Sequence, residues 1–237
     1  RRTDGHVAHF DFSKAFFALD VFARAFTVVA YDQRGHGETS AATLTPSAAA
    51  DDVGAVMDAM KWEKAAIGGT SLGAAATLMF ALRRPERVSF LVQDLPGFGP
   101  GSFRDPSKTN PIAAALEEAD LEEAARRITE GMSAPRAKAW TDALFSDWNH
   151  YEAAQLGPRL GWALRATASW KIVAQWPHDL AKLSMPLRIL AVQGDPVHPW
   201  DVAQAMARTI PGSRLVPRVP SLSPEAIAEQ WLEVLAS

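Results

Sequence analysis

The chain of 237 residues contains no cysteine. Disulfide staples, thiolate nucleophiles and cysteine-ligated metals are therefore excluded. An excess of one charge is missing too: 24 Lys and Arg stand against 27 Asp and Glu, a net charge of −3, and no basic stripe runs along the chain. Nucleic acid and anionic membrane surfaces are poor partners for such a chain. No apolar run approaches the roughly 20 residues of a membrane-spanning helix. No signal-peptide pattern opens the sequence, so the cytoplasm is the expected location and a small molecule the expected partner. The opening Arg1-Arg2-Thr3 lacks an initiator Met and reads as a start in mid-fold. Cofactor signatures are absent: there is no strand-borne G-x-G-x-x-G, no P-loop and no Cys/His metal spacing. His6 and His9, with Asp11 nearby, match no ligand spacing, so neither a metal nor a cofactor is expected.

What is present is apolar bulk, 48% of the chain, enough for the full core of one large domain with room for an inserted lid. The most informative stretch is Lys64–Arg83, KAAIGGTSLGAAATLMFALR. A short apolar run (Ala65, Ala66, Ile67) ends in Gly68-Gly69, and strong helix formers follow Gly73. This reads as strand, sharp turn and helix with Ser71 at the apex. A serine hydroxyl becomes a useful nucleophile when a tight, strained turn projects it toward a base. Glycines on either side remove the Cβ atoms that would clash as the strand folds back under its helix. The helix N-terminus behind Ser71 aims free N–H groups at a developing oxyanion, with Leu72 the nearest.

Elsewhere the order is β-α-β-α-β with short loops. Residues 1–25 read as a loop and then a helix from about Ser13. Thr27–Tyr31 reads as a buried β-branched strand, followed by Asp32-Gln33-Arg34-Gly35-His36-Gly37-Glu38-Thr39-Ser40. A helix runs from Thr45-Pro46-Ser47 to about Met60, with Asp51 and Asp52 placed as helix-end carboxylates. Arg87–Gln93 is the strand after the serine unit, ending at Asp94. This pattern gives a mostly parallel sheet covered by helices, whose ligands bind beyond the carboxyl ends of the strands. From Gly97 to about Ser184 helical patterns follow one another over Ile112–Met132, Pro135–Asp147, Tyr151–Leu156 and Gly161–Gln175. Five of the eight Trp lie in that segment. Most would pack helices together; Trp140, Trp148 and Trp170 are the candidates for an apolar substrate pocket. The Glu117–Glu123 charge cluster reads as a solvated face. Leu187–Gln193 returns as a strand, followed by Gly194-Asp195-Pro196-Val197-His198-Pro199. A helix over Trp200–Ile210, a strand over Ser213–Val219 and a helix over Pro224–Ala236 close the chain.

The motifs D-x-R-G-x-G-x-[ST] at Asp32–Thr39 and G-x-S-x-G at Gly69–Gly73 together resemble the α/β-hydrolase superfamily of esterases, lactonases and C–C hydrolases, over nearly the whole chain. The resemblance implies an α/β-hydrolase fold: a core of residues 1–96 and 185–237, a helical cap inserted at 97–184, and the family's first strands absent. It makes the Asp32 turn structural, with Asp32 and Arg34 bracing the loop and His36 a turn residue rather than a base. Ser71 becomes the nucleophile and Asp195 the triad acid, with Asp94 in reserve. The oxyanion donors become the N–H of Leu72 and a second near Gly5 or His6. The substrate becomes a small, fairly apolar ester, lactone or C–C bonded ketone.

The family's histidine falls between the last strand and the last helix, and here Val219–Pro224 carries none. Three explanations compete. The chain lacks a segment, or another histidine substitutes, or the scaffold has given up hydrolysis to bind a small molecule beneath the cap. An acyltransferase is a further reading. Among substitutes, His198 shares the acid's loop, a position from which Asp195 is badly placed to orient the ring. His150 and His178 would have to descend from the cap.

Overall fold

A computed structural model describes residues 18–36, 39, 43–97, 106–145, 150–168, 170, 178–195, 198–219 and 223–237, and the backbone of 6–10. Six parallel strands form one sheet. In chain order they are β1 (His6–Phe10), β2 (Thr27–Tyr31), β3 (Ala65–Thr70), β4 (Val88–Asp94), β5 (Leu187–Ala191) and β6 (Ser213–Pro217), and in space they run β2-β1-β3-β4-β5-β6.

The middle strand β3 is built of small residues because two neighbours press into it. A Cβ on Gly68 would lie 2.5 Å from the ring of Trp231, on α9 (Pro224–Ala236). Trp231 meets Phe22 of α1 (Leu19–Ala23) edge to face at 6.1 Å, and both join Val92, Leu190 and Ile227 in the core on that side of the sheet. The opposite face carries α2 (Pro46–Ala59), α3 (Leu72–Arg83) and α8 (Trp200–Thr209), whose Val53, Met57, Leu78 and Met206 are buried against Ile67, Leu91 and Ile189. Helices on both faces are what a parallel sheet with crossover connections requires.

Between β4 and β5 stand α4 (Pro106–Glu117), α5 (Leu121–Ile128), α6 (Ala134–Phe145) and α7 (His150–Thr167). Two helix boundaries differ from expectation. The run expected as one helix over 112–132 breaks at Ala119, whose φ is +58°, and α5 restarts with Asp120 capping the Glu123 N–H at 3.0 Å. Conversely, α7 continues through Gly157-Pro158, where the sequence suggests two helices. Its glycines are contact points rather than breaks: Cβ atoms would lie 2.4 Å from the Leu116 carbonyl oxygen at Gly157 and 2.6 Å from that of Ala113 at Gly161. Close backbone approach to α4 explains why glycine stands there. Two carboxylates of the Glu117–Glu123 cluster are ion-paired, Glu117 with Arg165 at 2.8 Å and Glu123 with Arg126 and Arg127, each at 2.6 Å. The two arginines hold the half-buried Glu123 carboxyl down at about 2.

Two N-terminal expectations are corrected. Residues 6–10, expected as loop, form β1 and lie inside the sheet, paired with both β2 and β3. Thr27–Tyr31, expected as buried, is the sheet's edge strand, with Thr27 and Ala30 exposed. Of the helix expected from about Ser13, the part at 13–17 and Asp11 lie outside the described residues, and α1 is confined to Leu19–Ala23.

Candidate functional site

The carboxyl ends of β3, β4 and β5 meet at one point above the sheet. Ser71 follows β3 directly with φ 52° and ψ −109°, a left-handed backbone that an L-residue adopts only under constraint. The constraint comes from both sides. The Ser71 N–H donates to the Asp94 carbonyl at 2.9 Å, and its own carbonyl accepts the first α3 hydrogen bond, from Ala75, at 3.1 Å. A Cβ on Gly69 would sit 2.2 Å from the Gly73 carbonyl carbon, so the strand can fold back under α3 only with glycine there. The N–H groups of the first turn of α3, Leu72 foremost, have no acceptor within the helix.

The Ser71 hydroxyl meets a histidine. His198 Nε2 lies 2.9 Å from Ser71 Oγ. The ring is buried, and its Cδ2 edge would be 3.3 Å from a Cβ on Gly97, beyond the end of β4. Behind it, Asp195 accepts the His198 backbone N–H on Oδ1 at 3.1 Å and faces Nδ1 with Oδ2 at 3.5 Å. One short turn therefore carries both groups. Sequence reasoning weighed against this arrangement because neighbours on one loop are poorly aimed at each other. With the His198 N–H held on Asp195 Oδ1, carboxylate and ring nevertheless stand side by side. The cost is a long Nδ1–Oδ2 contact, at the outer limit of a hydrogen bond. Arg136 of α6 approaches the same oxygen, with Nη2 3.0 Å away. No signal in the sequence marks this arginine, since α6 presents several polar residues.

Asp94, the reserve acid, is turned to another task. Its carboxylate is fully buried, with Oδ1 taking Arg218 Nε at 2.8 Å and Oδ2 the Thr70 hydroxyl at 3.0 Å. It braces the turn from below. His6 is corrected as an oxyanion donor. It opens β1 opposite Thr27, and Val7 stands beside Ala66, so His6 is level with the start of β3. Six residues of strand separate that level from Ser71, about 20 Å at the usual rise.

The other candidates divide in three ways. Trp170 is buried in the main core, with Nε1 donating to the Leu44 carbonyl at 3.3 Å, so it anchors the end of α7 instead of facing substrate. The Trp140 and His150 side chains, and Trp148 and residues 220–222 entirely, lie outside the described residues. His178 is exposed beside Asp179. The Asp32 turn behaves as a structural element: Arg34 forks onto Asp52 at 2.7 and 2.5 Å, which holds its guanidinium above the usual range, and Thr39 Oγ1 donates to the Asp32 carbonyl at 2.8 Å. Gly35, at φ +79°, lies so close under Trp162 of α7 that a Cβ would come within 2.3 Å of the ring. Buried His36 turns Nδ1 to the Arg34 carbonyl at 3.2 Å. Among the described residues no group of three or more His, Cys, Asp or Glu could hold a metal ion, and no helix is long and apolar enough to cross a membrane.

A serine on a strained strand-to-helix turn, in contact with an imidazole at the carboxyl edge of a doubly covered parallel sheet, defines the hydrolase class of α/β protein. The comparisons with known proteins agree. The model of the alpha/beta hydrolase fold family matches residues 11–130, just over half of the chain, and the chain belongs to that family. It is 44% identical over 71 residues to a Caulobacter sp. (strain K31) protein whose name proposes a carbamate hydrolase, RutD. That match covers 28% of this chain and 26% of the relative, so the chain spans about a quarter of the length of the curated relative it matches. Among solved structures it resembles the enol-lactonase of Burkholderia xenovorans LB400, at TM-score 0.73 and 17% identity over 100% of this chain and 94% of that one. It also resembles the 2-hydroxy-6-oxo-6-phenylhexa-2,4-dienoate hydrolase of Rhodococcus sp. strain RHA1, at TM-score 0.72 and 18% identity over 99% and 91%. These likenesses are of fold.

Proposed function

We propose that the chain is a cytoplasmic serine hydrolase that cleaves a small, fairly apolar ester, lactone or C–C bonded ketone, with residues 97–184 forming a helical cap over the site. The observation that carries this reading is the 2.9 Å approach of His198 Nε2 to Ser71 Oγ. A serine without a base is a weak nucleophile at neutral pH, and hydrogen-bond reach is the first requirement of a base.

In this reading His198 takes the hydroxyl proton as Ser71 Oγ bonds to the substrate carbonyl carbon. The carbonyl electron pair moves onto oxygen, where the Leu72 N–H stabilises it. Asp195 carries negative charge beside the imidazolium. Collapse of the tetrahedral species expels the leaving group, which takes the proton from His198, and leaves an acyl-Ser71. Water, deprotonated by His198, then releases the acid and restores the serine. In this reading the base comes from the acid's own loop, in place of a histidine between β6 and α9.

A panel of p-nitrophenyl esters of increasing acyl length, read with the wild-type protein and Ser71→Ala, tests the proposal. Turnover with a burst of p-nitrophenol, abolished in Ser71→Ala, is the expected result. Equal release by both proteins would overturn it.

A further inference from the structure

Asp195 serves two partners at once. His198 and Arg136 both come to Oδ2 of its carboxylate. The shorter distance belongs to the arginine, 3.0 Å against 3.5 Å. The carboxylate is 1% exposed, so water does little to screen either contact. Other charged groups of these elements pair with one another: Lys138 of α6 with Asp142, Asp94 with Arg218, and Lys182 with Asp179. The Asp201 carboxylate at the start of α8 takes its neighbour's N–H, from Val202 at 3.0 Å.

An arginine keeps its charge at every pH of interest. Placed on the oxygen that faces the base, it draws off part of the negative charge that would otherwise stabilise the imidazolium, and it repels the imidazolium directly. We infer that Arg136 is a positioning residue that divides Asp195 with His198, ties α6 to the acid loop, and extends the reactivity of Ser71 to lower pH. The inference rests on the Ser71–His198 reading above. Its chemical content is a shared carboxylate: a helix of the inserted segment reaches into the charge relay and sets the pH range over which it works.

The test is the rate of covalent labelling by a fluorophosphonate probe, followed by intact mass from about pH 5.5 to about pH 9 in the wild type, Arg136→Met, Arg136→Gln and Arg136→Lys. This readout needs no knowledge of the natural substrate. Loss of the guanidinium gives the whole carboxylate to His198. The acid limb of the labelling profile then moves to higher pH by about half to one unit in both neutral variants. Labelling near the foot of that limb falls about threefold to tenfold, while the alkaline plateau stays within about twofold. Arg136→Lys keeps the limb near its wild-type position. A uniform loss at every pH in both neutral variants would mean that Arg136 only packs α6, and it would overturn the inference, as would a limb that does not move. A wild-type profile with no acid limb would overturn both this inference and the reading of His198 as base. A limb present but unmoved would overturn the inference alone.

Discussion

Two carboxylates stand at the ends of adjacent strands, Asp94 closing β4 and Asp195 just past β5, and both are buried against an arginine. They do different work. Asp94 meets Arg218 and the Thr70 hydroxyl, and its carbonyl accepts the Ser71 N–H, so it holds the strained turn in place. Asp195 meets Arg136 and His198, and in the proposed mechanism it acts on the hydroxyl's reactivity. Burial and charge are alike at the two sites. What separates them is the next few residues: His198 follows Asp195 by three residues and faces its carboxylate, whereas Asp94 is followed by Gly97 and then α4. Strand-end position alone does not assign a role to a carboxylate; the loop that follows it does.

The sharpest way to break that contrast is to disrupt each carboxylate's site in turn. Asp195→Asn is expected to lower ester turnover or fluorophosphonate labelling on the order of 10³-fold, since a lost triad acid costs about 10⁴-fold where its hydrogen bond is short and here the contact is 3.5 Å. Its melting temperature should change little beside that loss. A labelling rate within a few-fold of wild type would remove Asp195 from the relay.

The opposite balance is expected at the other site. Arg218→Met strands the buried Asp94 charge and should destabilise the fold by ~3 kcal/mol, a drop of about 6–12 °C for a domain of this size. Labelling below the transition should remain within about tenfold. Loss of labelling from a protein as stable as the wild type would make Asp94 the working acid and erase the distinction.

A smaller effect sharpens the picture of the displaced base. A Cβ at Gly97 would stand 3.3 Å from the His198 ring, so Gly97→Ala must push the ring by a few tenths of an ångström. Labelling is expected to fall about threefold to tenfold, with thermal stability held within ~1 kcal/mol. An unchanged rate would mean that the ring has room to spare.

Much of this architecture was legible in the sequence where one physical demand dominates. Gly69 before Ser71 encodes a turn whose fold-back under α3 leaves no room for a Cβ. The apolar run Ala65–Ile67 that opens β3 encodes burial on both faces. β1 was not legible, because His6 and His9 interrupt its five residues. Its place inside the sheet is set by β2 and β3 rather than by its own pattern. α7 was misdivided for a related reason: Gly157 and Gly161 have the composition of a break but the function of a close contact with α4. Trp170 shows the limit for side chains, since an aromatic that lines a pocket and one that anchors a helix end look the same along the chain. At the site, Ser71, Asp195 and His198 could all be named, but the loop bend that lets the last two meet could not. Arg136 was missed altogether, because its role depends on a contact between segments some sixty residues apart.

The central claim is that His198, supplied by the acid's own loop, activates Ser71. The most direct measurement is the rate at which a fluorophosphonate labels His198→Gln relative to wild type near pH 8, with the labelled residue located by peptide mass spectrometry and folding checked by thermal melt. A folded variant labelled roughly a thousandfold more slowly, with the wild-type label on Ser71, is the predicted result. A folded variant whose Ser71 is labelled within a few-fold of the wild-type rate would contradict it.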